Sequence, residues 1–306
     1  MTNTTNSLFE IEMGLGAWQW GEKHVWGYGD HYFEQDIEEA FVTALKNGVN
    51  LVDTAEIYGS GRSERMLAAL LQKTGQRPYL ASKFFPFPWR FTKGSVRTAF
   101  THSIQRIGID KLDLYQIHWP SPILSADVQL TAMAELVAEG KLGAIGVSNF
   151  NQIQMMRAVQ VLMKHNLPLA SNQVEFNLLN RSIEKNGLLQ RCNELGIRVI
   201  AYSPLAMGLL TGKYTKDNPP SGLRGMKYAN QLGRILPLIR RLAEIGQEVG
   251  GKSNSQVALN WCICKGTMPI PGAKNANQAL ANAGAMGWRL SEAQVAELDA
   301  LSDQCN

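Results

Sequence analysis

Asn50-Leu51-Val52-Asp53-Thr54-Ala55-Glu56-Ile57-Tyr58-Gly59 passes from a short apolar run into a polar turn within a few residues. So short a run, ending on a carboxylate, reads as a buried parallel strand with a loop after it. The pattern returns downstream. Pro78-Tyr79-Leu80-Ala81-Ser82 leads to Lys83, and Leu112-Asp113-Leu114-Tyr115-Gln116-Ile117 is closed by His118. A carboxylate, an ammonium and an imidazole at successive strand ends, with the Tyr58 phenol in the first loop, can meet at one end of a parallel sheet.

Outward from these segments the alternation continues. Candidate strands begin near Met13, Asn50, Tyr79, Leu112, Gly143, Leu169, Arg198 and Thr267, at intervals of about 30 residues, the length of one strand–helix unit. Helical periodicity lies between them. Ile37, Phe41, Ala44, Leu45 and Gly48 share one face, and Val96, Phe100, Ile104 and Ile107 another. Ser182, Glu194 and Gly196 suit the start, body and stop of a third helix. Eight such units in series predict an α/β fold, a closed (β/α)8 TIM barrel.

The seventh connection departs from the repeat. From Ser203 to Gly266 it is about twice the usual length of a unit. Its first half carries Pro204, Gly208, Gly212, Pro219, Pro220, Gly222 and Gly225 and reads as a long, ordered or lid-like loop. Its second half predicts helices over Ile235–Val249 and Ser253–Cys264, so an extra helix sits between strands 7 and 8. Another irregular stretch, Trp18 to Tyr32, follows the first strand. No linker or low-complexity segment interrupts the chain, so residues 1–306 are expected to form one domain.

Composition narrows the partners. The 306 residues carry a formal net charge of +4, yet no basic run is longer than Arg240-Arg241, which argues against nucleic acid. The four cysteines, Cys192, Cys262, Cys264 and Cys305, show no metal-ligand spacing and suit a reducing compartment. Met1 to Ser7 is polar, without a charged-then-apolar leader, and no apolar run could span a bilayer. The expectation is a cytoplasmic protein that acts on a small molecule, with no membrane, metal or nucleic-acid partner.

The four strand-end groups suggest a division of labour. A phenol titrates near 10 in water, so Tyr58 is a weak acid unless its surroundings act on it. A nearby ammonium, Lys83, favours the phenolate and lowers that value. A buried lysine needs a counter-charge, which Asp53 can supply. His118 can hydrogen-bond a substrate oxygen or relay a proton to Tyr58. Taken singly, each could be ordinary polar packing. Together they can give a proton to a carbonyl oxygen while another group delivers hydride.

Asp53-Thr54-Ala55-Glu56-Ile57-Tyr58-Gly59 with Arg62-Ser63-Glu64 resembles the tyrosine signature of the aldo-keto reductase family. Ser82-Lys83, Gln116-Ile117-His118-Trp119-Pro120, Gly146-Val147-Ser148-Asn149-Phe150, Gln173-Val174-Glu175-Phe176-Asn177 and Tyr202-Ser203-Pro204-Leu205 are similar to its later segments, in the same order. The resemblance implies an NAD(P)H-dependent carbonyl reductase with Asp53, Tyr58, Lys83 and His118 as catalytic tetrad. It places Tyr202 beneath the nicotinamide and Ser148, Asn149 and Gln173 on its carboxamide. Ser203, Leu205, Gly208, Lys213 and Gly272 would follow along the cofactor, Lys213 within a segment similar to a pyrophosphate-covering loop. Lys274 would meet the 2′-phosphate, with Gln278 and Asn282 on one face of the next helix. That favours NADPH/NADP+, with NADH possible. Where many members carry Ser or Thr the chain has Asn275, and where many carry Arg it has Gln278. No competing dinucleotide fingerprint is present, because Gly14-Leu15-Gly16-Ala17-Trp18-Gln19 lacks the last glycine.

Substrate and class stay open at this point. Trp18, Trp20, Trp26, Trp89 and Trp119 fall in loops after strands one, three and four, joined by Tyr28, Phe85 and Phe87. They suggest an aromatic-walled pocket, with Trp18, Trp89 and Trp119 as lining residues, for a neutral aldehyde or ketone. Trp261 and Trp288 read as helix packing. His24-Val25-Trp26-Gly27-Tyr28, Pro88-Trp89-Arg90-Phe91-Thr92 and Asn260-Trp261-Cys262-Ile263-Cys264-Lys265-Gly266 look most like the plant pyridoxal reductase-like members, so pyridoxal is a candidate substrate. The alternative is a cofactor-binding regulatory subunit of the potassium-channel β type. A Schiff-base aldolase using Lys83 fits less well, because it leaves Tyr58 and the nicotinamide set without a task.

Overall fold

The structure, a computed structural model, describes residues 8–23, 25–121, 125–215, 218–220 and 232–305. Met1 to Ser7, His24, Gly222 and Gly225 of the sequence reading lie outside them.

Eight parallel strands pair in sequence order: β1 Leu15–Gly16, β2 Leu51–Asp53, β3 Tyr79–Phe84, β4 Leu112–Ile117, β5 Leu142–Ser148, β6 Ser171–Glu175, β7 Arg198–Tyr202 and β8 Met268–Pro269. The sheet closes on itself: Gly14 N donates to Pro269 O at 3.0 Å and Gly16 N to Pro271 O at 3.1 Å, and Gly16 bridges Gly272 in parallel. Helices alternate with the strands, namely α1 Glu34–Lys46, α2 Arg62–Thr74, α3 Lys93–Ile107, α4 Ala126–Ala138, α5 Gln152–Met163, α6 Ser182–Lys185 and α7 Leu188–Glu194. After β7 come a 3-10 segment, Ala206–Thr211, then α8 Leu236–Glu248 and α9 Asn254–Cys264. Past β8 lie α10 Ala276–Ala283 and α11 Glu292–Gln304. This is the (β/α)8 barrel with the expanded seventh connection.

The helix starts follow local chemistry. Asn151, Ser253 and Ser291 each accept from the backbone three residues on, while Gln154, Gln256 and Gln294 reach back, forming capping boxes. One expectation fails. The helix read from Ser182 to Gly196 is two short helices, because Gly187 takes φ 79° between them, a left-handed conformation that ends one helix and starts the next.

Two apolar layers form the core. The larger packs helices onto the outer faces of the strands, with Phe41, Phe100, Leu162, Leu242 and Trp261 fully or almost fully buried in it. The smaller fills the barrel: Leu8, Leu51, Ala81, Leu114, Ala144, Ala170, Ile200, Met268 and Ile270. Side chains alternate across a strand, so residues two further on face the same interior. From Leu51 that step gives Asp53; from Ala81, Lys83; from Leu114, Gln116 and then His118. The alternation therefore puts a polar layer directly above the apolar plug, at the carboxyl ends of the strands.

Candidate active site

Asp53 and Lys83 are buried in that layer at 1% and 0% exposure. Lys83 Nζ donates to Asp53 Oδ1, to Thr54 O at 3.0 Å and toward the Tyr58 hydroxyl at 3.3 Å, which uses all three ammonium protons. Pairing of this kind is what lets the two charges remain in a dry interior. The other carboxylate oxygen, Asp53 Oδ2, accepts from Gln173 Nε2 at 2.9 Å and Gln116 Nε2 at 3.1 Å.

Electrostatics then distinguish the titrating groups. Burial raises the Tyr58 phenol above its ordinary value; the Lys83 cation pulls it back, and Asp53 adds to the rise. Lys83 acts in the expected direction, but burial outweighs it, so Tyr58 holds its proton at neutral pH rather than standing as phenolate. Burial pushes the Lys83 ammonium down, but Asp53 and Tyr58 more than offset this and keep it charged. Burial, with the Lys83 charge behind it, lowers His118 to about 2. His118 is thus a neutral imidazole, edge-on to Tyr58 and to Phe85 at 5.7 Å each. Its Nδ1 is buried without a hydrogen-bond partner among the described residues.

A cleft of about 1140 Å³ opens above these groups. Asp53, Tyr58 and His118 line it, while Lys83 stands behind them, touching the cleft only through its partners. Ser148, Asn149, Gln173, Tyr202, Ser203, Leu205, Gly208, Lys213, Gly272, Lys274, Gln278 and Asn282, the sequence-derived cofactor residues, all line the same cleft. Asn149 ties three strand ends together: Nδ2 donates to His118 O at 3.2 Å and Ser148 Oγ at 3.1 Å, and Oδ1 accepts from Tyr202 at 3.0 Å. Asn149 and Ser203 hold positive φ, 61° and 50°, as residues at functional strand ends often do. Ala206, Met207 and Gly208 continue in that conformation, turning the 3-10 segment along the cleft.

The donor set suits one long ligand. Amides and a hydroxyl lie near Tyr58 and His118, fit for a carboxamide. Two ammonium groups, Lys213 and Lys274, lie in the loops after β7 and β8, fit for phosphates. Lys274 Nζ rests on Trp26 O at 2.8 Å and over the Tyr32 ring at 4.6 Å, and its own backbone N–H donates to Gln278 Oε1 at 2.9 Å. Asn282 Nδ2 donates to Gly272 O at 3.3 Å. NADP fits this set of residues at both of its polar ends.

The tryptophans divide. Trp18 and Trp119 line the cleft, and Trp18 lies edge-on to Trp26 at 5.4 Å and tilted toward Tyr58 at 6.4 Å. Trp20 is core: fully buried, and edge-on to Phe41 at 6.3 Å. Trp89, expected as a lining residue, is not one. It is 68% exposed and stacks on Phe87 at 4.8 Å, with the rings 8° apart. The cause is Glu56, which accepts from Phe85 N at 2.7 Å and Arg90 Nη1 at 2.5 Å, pinning both ends of the loop. Trp261 is helix packing as expected, tilted against Phe176 at 4.9 Å.

Three residues without an assigned task also belong to the site. Gln19 and Arg62 line the cleft, and Gln116 supports Asp53 from below. The one sequence signal for Gln116 is its place two residues before His118, on the same inward face. Arg62, whose Nη1 donates to Gly21 O at 2.5 Å, and Gln19 have no such periodic signal.

The sequence pattern of the aldo/keto reductase family matches residues 12–303. The chain is 38% identical over 300 residues to the chloroplastic pyridoxal reductase of Arabidopsis thaliana, covering 94% of this chain and 82% of that protein. It is 30% identical to an NADH-specific methylglyoxal reductase of Escherichia coli, covering 95% of this chain and 94% of the relative. Among solved structures it is similar to an aldo/keto reductase from Klebsiella pneumoniae in complex with NADP and acetate, at 29% identity and TM-score 0.74, covering 95% of this chain and 90% of that one.

Proposed function

Because this chain belongs to the aldo/keto reductase family, we propose that it reduces a flat aromatic aldehyde, with pyridoxal as the leading candidate, using NADPH and a proton from Tyr58. NADPH, when bound, supplies the hydride. The rest falls to the chain's own side chains. His118, held neutral, directs an imidazole N–H at the carbonyl oxygen. Tyr58, still protonated at neutral pH, gives that oxygen its proton as negative charge develops there. Lys83 stabilises the phenolate that remains, and Asp53 keeps Lys83 in place. When the cofactor binds, Ser148, Asn149 and Gln173 would hold its carboxamide and Tyr202 would pack on its nicotinamide. Ser203, Leu205, Gly208, Lys213 and Gly272 would border the rest of the dinucleotide. Lys274, with Gln278 and Asn282, would hold its 2′-phosphate end.

The single observation that carries this reading is the contact of Lys83 with both Asp53 and the Tyr58 hydroxyl at the wall of the cleft. The pyridoxal reading is supported by two flat apolar walls of the cleft, Trp18 beside Tyr58 and Trp119 next to His118 in the chain, and by the similarity to the plant pyridoxal reductase. The experiment follows NADPH and NADH absorbance with the purified protein across a carbonyl panel that includes pyridoxal. Turnover of pyridoxal with NADPH preferred supports it. Reduction of simple aromatic aldehydes with no measurable turnover of pyridoxal removes the substrate assignment.

A further inference from the structure

Asp53 uses its two oxygens differently. Oδ1 meets Lys83, and Oδ2 accepts from two amides, Gln173 and Gln116. Those amides are not equivalent. Gln173 lines the cleft, and under the proposed function it is shared with the cofactor's carboxamide. Gln116 is 0% exposed and does not line the cleft. Its Oε1 accepts from Ser171 Oγ at 3.3 Å and from Gln173 Nε2 at 3.5 Å, so its amide is fixed with Nε2 toward Asp53. Gly146, on the strand between them, makes room: a Cβ there would lie 2.3 Å from Ser171 Oγ and 2.9 Å from Gln116 Cγ. Lys83, Gln116, Gly146 and Ser171 are register partners across β3, β4, β5 and β6.

We propose that Gln116 is a positioning residue for the reduction: anchored by Ser171, it holds Asp53 Oδ2 so that Oδ1 keeps Lys83 against the Tyr58 hydroxyl while Gln173 attends to the cofactor. A buried carboxylate oxygen left with one shared donor turns toward whatever donor it can find, and Lys83 follows it. The inference rests on Tyr58 being the proton donor of the proposed function.

The test compares Gln116→Met, Gln116→Glu and Ser171→Ala with the parent and with Tyr58→Phe. Gln116→Met keeps the volume and removes the donor. Its kcat is expected to fall about tenfold to a hundredfold, the worth of a hydrogen bond to a charged group. Its NADPH dissociation constant, read by fluorescence quenching, stays within about twofold because Gln116 lies outside the cleft. In the cofactor-free protein, tyrosinate absorbance measured against a Tyr58→Phe background titrates at higher pH, because Lys83 no longer stands against the hydroxyl. Gln116→Glu can donate only when protonated, so its rate relative to the parent rises as pH falls, which loss of packing alone would not produce. Ser171→Ala moves each readout in the same direction by less and keeps the test alive if Gln116→Met does not fold. Unchanged kcat and tyrosinate titration in Gln116→Met, with Tyr58→Phe inactive, overturn this proposal alone. A Tyr58→Phe variant at near-parent rates overturns the function beneath it.

Discussion

Lys83 Nζ stands 3.3 Å from the Tyr58 hydroxyl and 5.0 Å from the centre of its ring, while the same nitrogen is bonded to Asp53. With Asp53 held on both of its oxygens, the ammonium cannot leave the phenol without also leaving its counter-charge. In a dry interior that separation costs several kcal/mol. The pair therefore makes the surroundings of Tyr58 a fixed property of the barrel, set before any ligand arrives.

Lys83→Met is expected to abolish turnover and also to destabilise the fold by about 3–5 kcal/mol, because it leaves Asp53 buried without its cation. Adding Asp53→Asn removes the stranded charge. The double variant should recover much of the stability in a urea melt and none of the activity. Recovery of activity would show that the charge pair is structural only.

His118 gives a pH signature. Its folded value, about 2, lies below its ordinary value of 6.5. Below pH 6.5 the unfolded chain takes up a proton that the folded chain refuses. The His118 contribution is therefore complete above pH 6.5 and is lost as pH falls from there toward 2. The slope is about 1.4 kcal/mol per pH unit. Urea melts from pH 7 to pH 4.5 should show His118→Gln losing less stability over this range than the parent. Parallel curves would mean that the imidazole takes up its proton in the folded protein as it does in the unfolded chain.

Under the proposed function Lys274 sets the preference between the two nucleotides. Lys274→Met should weaken NADPH binding by about tenfold to a hundredfold and leave NADH nearly unchanged. Fluorescence titration with both nucleotides checks this. Equal losses for the two would place Lys274 elsewhere along the cofactor.

The aromatic walls separate by substitution. Trp18→Ala and Trp119→Ala should raise KM for pyridoxal, and Trp89→Ala should leave it near the parent value, because Trp89 packs on Phe87 outside the cleft. A KM effect of Trp89→Ala as large as the others would show that its loop closes over the substrate.

The barrel was legible because its apolar runs are short, regularly spaced and followed by polar loops. Asp53, Lys83 and His118 stood out because a charged or titrating side chain at the end of such a run is costly unless it is used. Gln116 did not stand out, since a neutral amide within an apolar strand reads as packing, and its worth depends on Asp53 arriving from a distant strand. Trp89 was misplaced for a similar reason. Its loop is bent by Glu56, 33 positions earlier in the chain, a contact that local spacing does not reveal. The helix expected from Ser182 to Gly196 broke at Gly187, where a left-handed turn interrupts the span that its start and stop residues frame.

The role of Tyr58 as proton donor is tested by comparing parent and Tyr58→Phe for NADPH binding and for NADPH oxidation with an aromatic aldehyde. The parent should turn over steadily, the variant should lose at least about a hundredfold, and their NADPH affinities should agree within about twofold. Near-normal turnover by Tyr58→Phe, or tight NADPH binding by the parent with no turnover of any aldehyde, would contradict that role, and the second result would fit a regulatory cofactor-binding subunit instead.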